Sequence, residues 1–353
     1  MNNSALFLQR FGLRYPIIQA PMAGISTPEL VAAVSEAGGL GSLALGASSV
    51  EQARKMIATT QALTNKAFNV NVFCHLTPTR DAKVEQAWVD YLSPKFAEFN
   101  AAPPVQLSEI YQSFLDNPEM LALFLEMKPA IVSFHFNLPA KHVVEQLQSQ
   151  GIYTMGTATN LAEALLIKEA GIDAIVAQGI EAGGHRGMFN VDADDEQLTT
   201  YDLVQLLSQH IDLPIIAAGG IMDGQDILIA LEKGAVAAQL GTAFILCPES
   251  AASDAYRQKL KSQEAANTQL TAAISGWPAR GIVNQFIRIA QQENCPKIPD
   301  YPIAYDVGKQ LNAAASQSGS DDFAAHWAGQ NASKAREMPA KELIKVLIKE
   351  MNI

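Results

Sequence analysis

Cysteine, positive charge and long apolar runs are all scarce in this sequence of 353 residues. The three cysteines, Cys74, Cys247 and Cys295, are odd in number and lack metal-ligand spacing, so we expect no disulfide framework, zinc site or iron–sulfur cluster. Acidic residues outnumber basic ones by 36 to 25, which gives a formal net charge of −11. Because no basic tract offsets this charge, nucleic-acid binding is disfavoured, and an anionic substrate would need locally placed cations.

No apolar run is long enough to span a bilayer, so we expect no membrane partner. The N-terminal residues lack the charged and apolar regions of a signal peptide, which predicts a cytoplasmic protein. Hydrophobic residues make up 48% of the chain and charged residues 17%. That balance is typical of a protein with a large core, either one big domain or a barrel with an added piece.

Short apolar segments that alternate with helical segments dominate the first two thirds of the chain. We predict eight strands, near residues 17, 40, 68, 130, 152, 174, 214 and 236. Strands alternating with helices indicate a parallel sheet with right-handed crossovers, and eight such units indicate an α/β fold of the (β/α)8 TIM-barrel type. Thr27 and Pro28 have the residue types of an N-cap and a first helical position.

The remaining segments predict the domain organisation. The barrel is expected to span 1–247, with a helical insertion at 77–128 that includes helices at 81–99 and 108–127. A helical capping domain is expected at 248–325, with helices at 253–271, 277–292 and through 309–315, followed by a C-terminal segment at 326–353 that packs back on the barrel.

In a TIM barrel the active site lies at the carboxyl ends of the strands. His135 ends the predicted fourth strand, and the glycine-rich stretch 177–187 after the sixth presents His185, so both imidazoles are expected at one mouth. His75 lies at a similar depth and is expected to be structural. Glycine turns at 218–221 and 239–242 follow the seventh and eighth strands, where many barrels bind phosphate through backbone amides.

Six segments together resemble the nitronate monooxygenase family, formerly called 2-nitropropane dioxygenase, in its bacterial class I branch. They are Gln19-Ala20-Pro21-Met22-Ala23-Gly24, Asn69-Val70-Asn71, Ser133-Phe134-His135-Phe136, Glu181-Ala182-Gly183-Gly184-His185, Ala217-Ala218-Gly219-Gly220-Ile221 and Gln239-Leu240-Gly241-Thr242. The resemblance implies an FMN-dependent barrel with a helical domain over the site. It also implies oxidation of alkyl nitronates with O₂ to a carbonyl compound and nitrite, with propionate 3-nitronate as the typical substrate.

The resemblance also implies roles for individual residues. Those expected to bind the cofactor are Pro21, Met22 and Ala23 along the flavin ring, Asn71 and Gln178 as hydrogen-bonding groups, and Gly183, Gly220, Gln239, Leu240, Gly241 and Thr242 around the phosphate. Those expected to act on a small anionic nitronate are His185 at the reactive edge, His135 across the pocket, and Tyr301, Tyr305 and Lys309 on one helix face of the cap. Asn137 departs from the family pattern, where glycine is expected, beside the pocket.

Several alternatives stay open. A related flavin barrel that uses NAD(P)H, of the enoyl-acyl-carrier-protein or quinone reductase type, would share the phosphate loops. A non-catalytic FMN-binding barrel and a phosphosugar isomerase without flavin are further alternatives. The pair of tyrosines and Lys309 could also be an ordinary solvated helix face, and the acidic run 192–196 is expected to be solvated, with Arg186 paired to a loop carboxylate. We expect a monomer or a homodimer.

Overall fold

The computed structural model describes residues 3–352, so residues 1–2 and 353 of the predicted end segments lie outside it. Eight parallel strands confirm the predicted set: Ile17–Gln19, Gly41–Ala44, Phe68–Phe73, Ile131–His135, Tyr153–Ala158, Ala174–Gln178, Ile215–Ala218 and Ala237–Leu240. The first strand pairs with the eighth, at Ile17 and Ala238, and contacts the start of the second through a bridge between Ile18 and Leu40. The sheet therefore closes into a TIM barrel.

Helices follow the strands, and several of them begin at local capping signals. Thr27 accepts a hydrogen bond from the Leu30 amide ahead of Pro28–Glu36, and Ser49 forms a capping box with Gln52 at the start of Val50–Leu63. The other helices of the barrel are Asn3–Phe11, Lys141–Ser149, Leu161–Glu169, Thr200–His210, Gly224–Glu232 and Thr242–Ile245. Their buried faces pack around the strands and form the main core.

The insertion after the third strand is less helical than predicted. Ala82–Glu98 is the expected helix, but the single helix predicted at 108–127 is wrong over its first part. Residues 108–113 are irregular, a 3₁₀ turn spans Phe114–Asp116, and the helix begins only at Pro118 and ends at Met127. The side chain of Asn117 accepts from the Met120 amide at 3.0 Å, so it caps a new helix at that point.

The capping region contains a sheet that the sequence does not predict. The helices predicted at 253–271 and 277–292 are wrong over parts of their length, because Thr268–Thr271 and Ala279–Ile282 are antiparallel strands. Helical structure there is confined to Asp254–Lys261, the 3₁₀ turn Gln263–Ala266 and Gln285–Ile289. The two strands pair with each other, and Ala279–Ile282 pairs in addition with the distant Gly184 and His185. Strand pairing of this kind overrides local helix preference.

Two later helices complete the described chain. Ile303–Gln317 includes Tyr305 and Lys309, but Tyr301 precedes the helix, so the prediction that all three share one helix face is wrong for Tyr301. After the 3₁₀ turn Ala332–Lys334, the helix Ala340–Glu350 packs on Pro28–Glu36 and Gly224–Glu232 at the outside of the barrel. The domain limits near 247 and 325 stay a prediction.

Candidate active site

A cavity of about 890 Å³ lies at the carboxyl ends of the barrel strands and beneath the capping region. Fifteen of the sixteen residues predicted for the site line this cavity. They are Pro21, Met22, Ala23, Asn71, His135, Gln178, Gly183, His185, Gly220, Gln239, Gly241, Thr242, Tyr301, Tyr305 and Lys309. The fold therefore brings these segments to one place, while their individual roles stay predictions. The volume is within the range of small-ligand sites.

Leu240 is the predicted cofactor-binding residue that does not line the cavity. Successive side chains of a strand point to opposite faces, so Gln239 lines the cavity and Leu240 is buried in the core between strands and helices. The Leu240 carbonyl accepts a hydrogen bond from the Ala20 amide at 2.8 Å and so is occupied by the barrel itself. Asn137 also does not line the cavity; its side chain accepts from the Leu138 amide at 2.9 Å.

The cavity has the opposite electrostatic character to the protein as a whole. The chain has a net charge of −11, yet no Asp or Glu is among the described residues that line the cavity, whereas Lys55 and Lys309 are. The Lys309 ammonium lies 4.9 Å from the ring centre of Tyr111 and 5.4 Å from that of Tyr305. Such a site favours an anionic ligand, because cations with no competing carboxylate keep their charge for the ligand.

Tyr111 is a cavity residue that the sequence prediction missed. It lies in the irregular segment 108–113, where helical spacing gave no signal of a ligand-facing side chain. That segment is tied to the cap, since the Ser108 amide donates to the Asp306 carboxylate at 2.7 Å. Burial raises the pKa of the Tyr111 phenol to about 12, so the phenol stays protonated as a hydrogen-bond donor.

His185 lies in an aromatic environment. Ring centroids around its imidazole lie at 5.3 Å for Trp327, 5.5 Å for Phe136 and Tyr301, 6.2 Å for Tyr305 and 6.4 Å for Phe73. Burial, followed by the neighbouring imidazoles of His135 and His75, lowers the pKa of His185 to about 3. The imidazole is therefore neutral at physiological pH and presents one donor and one acceptor nitrogen.

The loop that holds His185 is fixed from both sides. Gly184 and His185 pair with Arg280 and Ala279 of the capping sheet. From the barrel side, the Gln178 side chain donates to the His185 carbonyl at 2.9 Å and accepts from the Gly187 amide at 2.8 Å. Gln178 therefore holds the loop, a role that its predicted contact with a cofactor did not include.

Arg186 is buried beside this loop and confirms the expected pairing with a loop carboxylate. Its guanidinium binds Asp195 through two hydrogen bonds of 2.8 Å and also donates to the Gln178 and Gly179 carbonyls. Asp195 belongs to the acidic run 192–196, so the prediction that this run is solvated is wrong at Asp195. The ion pair closes the loop over the strand end.

His135 has both ring nitrogens within hydrogen-bonding distance of protein groups. Nε2 lies 3.1 Å from the His185 carbonyl, and Nδ1 lies 3.2 Å from the Thr157 hydroxyl. A carbonyl only accepts, so Nε2 carries the proton and Nδ1 accepts from Thr157. Burial lowers the pKa of His135 to about 4, so the ring is neutral and supports the loop under His185.

The predicted phosphate region offers hydrogen-bond donors without protein partners. The main-chain N–H groups of Gly183 and Gly220 donate to no other described residue. The Thr242 hydroxyl accepts from the Gly329 amide at 3.0 Å, which leaves its own proton for a ligand. The C-terminal segment completes the wall, since Asn331 donates to the Gly220 carbonyl at 2.7 Å. Sequence reasoning missed Gly329 and Asn331 because nothing local links them to the strand ends.

Acceptor groups and open space lie at the other end of the cavity. Both Asn71 amide hydrogens are directed to Ser133, with Nδ2 at 2.9 Å from the hydroxyl and 3.2 Å from the carbonyl. Its Oδ1 accepts from no described residue and is left for a ligand N–H. A Cβ built on Gly24 or Gly184 would meet no atom within 4 Å, so open space adjoins the backbone at both of these cavity residues.

Within residues 3–352, no helix is long and apolar enough to cross a membrane. Over the same part of the chain, no group of three or more His, Cys, Asp or Glu side chains is arranged to hold a metal ion. The groups that the described residues of the cavity offer to a substrate include imidazole, ammonium, phenol and backbone amide groups.

Comparisons with known proteins agree with the site. A model of the nitronate monooxygenase family matches residues 5–350. The chain is 54% identical to a nitronate monooxygenase of Paraburkholderia phytofirmans, covering 98% of this chain and 94% of that one, and 52% identical to one of Pseudomonas aeruginosa, covering 98% of each.

Among solved structures, a nitroalkane oxidase from Streptomyces ansochromogenes has a TM-score of 0.89 at 36% identity, covering 99% of this chain and 98% of that one. FabK from Thermotoga maritima has a TM-score of 0.73 at 27% identity, covering 98% and 96%. The family model and the two relatives that are more than 50% identical each match nearly the whole chain, and all are nitronate monooxygenases. This chain therefore belongs to the nitronate monooxygenase family.

Proposed function

We propose that this protein oxidises alkyl nitronates with O₂ to a carbonyl compound and nitrite, that FMN is its cofactor, and that propionate 3-nitronate is a substrate. The observation that supports this most directly is the cavity without carboxylates beside His185, on a protein whose net charge is −11. A nitronate is an anion, and propionate 3-nitronate carries a second negative charge on its carboxylate. Lys309 is the cation of the cap that such a substrate would meet.

The family is flavin-dependent, and the groups of the cavity fit FMN in particular. The free N–H groups of Gly183 and Gly220 and the Thr242 hydroxyl suit a phosphate, and the free Oδ1 of Asn71 suits a ring N–H. Pro21, Met22 and Ala23 line the space in between. When bound there, a flavin supplies the redox chemistry that takes electrons from the nitronate, with O₂ as the final acceptor.

The protein's own residues position the substrate and exclude water. Lys309 attracts the anion, and Tyr305 beneath it supplies a protonated phenol, since burial raises the pKa of that phenol above its ordinary value. The aromatic rings around His185 keep water from the reacting centre, which strengthens the electrostatic interactions inside the cavity. A cytoplasmic location and a monomeric or homodimeric state stay predictions.

The test is an absorbance spectrum of the purified protein, followed by nitrite and O₂-uptake assays with propionate 3-nitronate. We expect a flavin spectrum, FMN in the heat-released extract and nitrite formation with O₂ consumption. Colourless protein that binds no added FMN would contradict the cofactor, and yellow protein that forms no nitrite from any nitronate would contradict the activity.

An NAD(P)H-dependent reductase, the alternative that would share the phosphate loops, is the second candidate. Anaerobic mixing with NADH and, separately, with nitronate distinguishes the two functions. We expect the nitronate, and not NADH, to bleach the flavin absorbance; the opposite result would favour the reductase.

A further inference from the structure

Ser275 contacts the predicted catalytic imidazole from the cap. It is fully buried, and its Oγ lies 2.9 Å from Nε2 of His185. The same hydroxyl lies 3.1 Å from the Trp277 carbonyl. No motif or spacing singles out this serine, which lies 90 residues from the histidine in the chain.

The direction of these hydrogen bonds follows from the number of protons available. A serine hydroxyl has one proton to donate, and the Trp277 carbonyl can only accept. If Ser275 donates to that carbonyl, its oxygen accepts from the Trp277 amide at 3.4 Å and has a second lone pair for His185, so Nε2 carries the ring proton. In the reverse arrangement the Trp277 carbonyl would have no donor among the described residues, and a buried acceptor without a donor is unfavourable.

The other ring nitrogen has no protein partner. Nδ1 of His185 makes no hydrogen bond with a described residue, and the ring lines the cavity. Which nitrogen of a histidine is protonated depends on the hydrogen bond that the other one makes. The contact with Ser275 therefore decides what His185 presents to the substrate.

The turn that holds Ser275 is rigid and tied to the residue next to His185. Gly276 has φ +88°, and a Cβ there would lie 2.5 Å from the Pro299 carbonyl oxygen, so only glycine fits. The indole N–H of Trp277 donates to the Arg186 carbonyl at 2.9 Å, and the Arg186 amide donates to the Pro278 carbonyl at 2.8 Å. Imidazole and hydroxyl are thus held at a fixed separation.

We propose that Ser275 is a positioning residue that holds His185 in the Nε2–H tautomer, so that the unprotonated Nδ1 with its lone pair faces the cavity. The proposal deepens the proposed function, because it names what sets the state of His185 in that reaction. It also separates two roles in the cavity: Lys309 supplies positive charge for the anion, while the unprotonated Nδ1 of His185 donates no hydrogen bond to it.

The test uses holoprotein labelled with ¹⁵N-histidine, in which NMR distinguishes a protonated from an unprotonated ring nitrogen. In the wild type we expect His185, assigned by its loss in His185→Asn, to show a protonated Nε2 and an unprotonated Nδ1. In Ser275→Ala we expect mixed tautomers and about a 10-fold loss of kcat with propionate 3-nitronate, with KM changed less than about twofold. Ser275→Thr keeps the hydroxyl and should restore both the spectrum and kcat.

Retention of the flavin spectrum shows that each variant is folded, and Ser316→Ala, at an exposed position of the cap helix, is the matched control. An Nδ1-protonated ring in the wild type would overturn the proposal, as would Ser275→Ala with an unchanged spectrum and kcat. The spectrum reports the tautomer whatever substrate the enzyme uses. A wild type that forms no nitrite would therefore refute the proposed function without deciding the tautomer.

Discussion

Acidification should destabilise this protein through histidines that are buried in the neutral form. Burial lowers the pKa of His75, His135 and His326 to about 4 and that of His185 to about 3. In the unfolded chain each imidazole has a pKa of about 6.5. Between these values the unfolded state binds more protons than the folded state, so stability is full above about pH 6.5 and falls as the pH decreases toward 4.

The size of the effect follows from the same values. From pH 6.5 to pH 5 each such histidine costs about 1.5 × 1.36, or roughly 2 kcal/mol, of the free energy of unfolding. His135 and His185 are only half-buried, and repulsion between neighbouring imidazoles lowers the pKa of His185, so the four contributions are not additive. We expect a total loss of about 4 to 6 kcal/mol between pH 7 and pH 5, a large part of the stability of a typical domain.

Urea unfolding at pH 7 and pH 5, with equal added flavin, measures this loss. His75→Asn removes one buried imidazole and should reduce the pH-dependent loss by about 2 kcal/mol, while His210→Asn, on an exposed helix end, should leave it unchanged. Carboxylates with a lowered pKa, such as Asp195, contribute only at more acidic pH. A wild type that loses less than about 1 kcal/mol, or equal losses in both variants, would refute the reasoning.

Three further predictions concern the cavity and its loop. Lys309→Met should raise KM for propionate 3-nitronate about 10-fold or more in steady-state assays, and that for ethyl nitronate less, because one substrate has an additional negative charge. Lys55→Met, at an exposed lysine that lines the cavity from the barrel helix Val50–Leu63 and not from the cap, should change either KM by less than about threefold. Equal effects of the two substitutions would contradict the assignment. Thr242→Val should weaken FMN binding about 10-fold in fluorescence titrations of apoprotein, through the lost hydroxyl, while riboflavin, which lacks the phosphate, should bind both proteins equally. Asp195→Ala leaves Arg186 buried without its carboxylate and should lower the free energy of unfolding, measured in urea, by about 3 kcal/mol. Asp192→Ala, at an exposed position of the same run, should change that free energy by less than about 0.5 kcal/mol. Similar values for the two variants would show that the ion pair is dispensable.

The barrel could be predicted from sequence because its signals are local. Each strand is a short apolar segment, and helix starts such as Thr27-Pro28 and Ser49 are capped by residues within four positions. The order of eight strand–helix units then fixes which loops meet at the mouth, which is why fifteen of the sixteen residues predicted for the site line the cavity. Leu240 does not line the cavity for a local reason too, since the alternation of the strand turns its side chain to the core.

The sequence by itself thus determined the barrel, the glycine turns and the histidines at one mouth. Only the tertiary structure decided what holds His185: the capping strand Ala279–Ile282, the Gln178 side chain and the hydroxyl of Ser275. It also decided that Tyr111, Gly329 and Asn331 close the cavity. The physical reason is sequence separation. Strand pairing and buried hydrogen bonds between distant segments leave no periodicity or spacing in the chain, and they appear only when the fold brings both partners together.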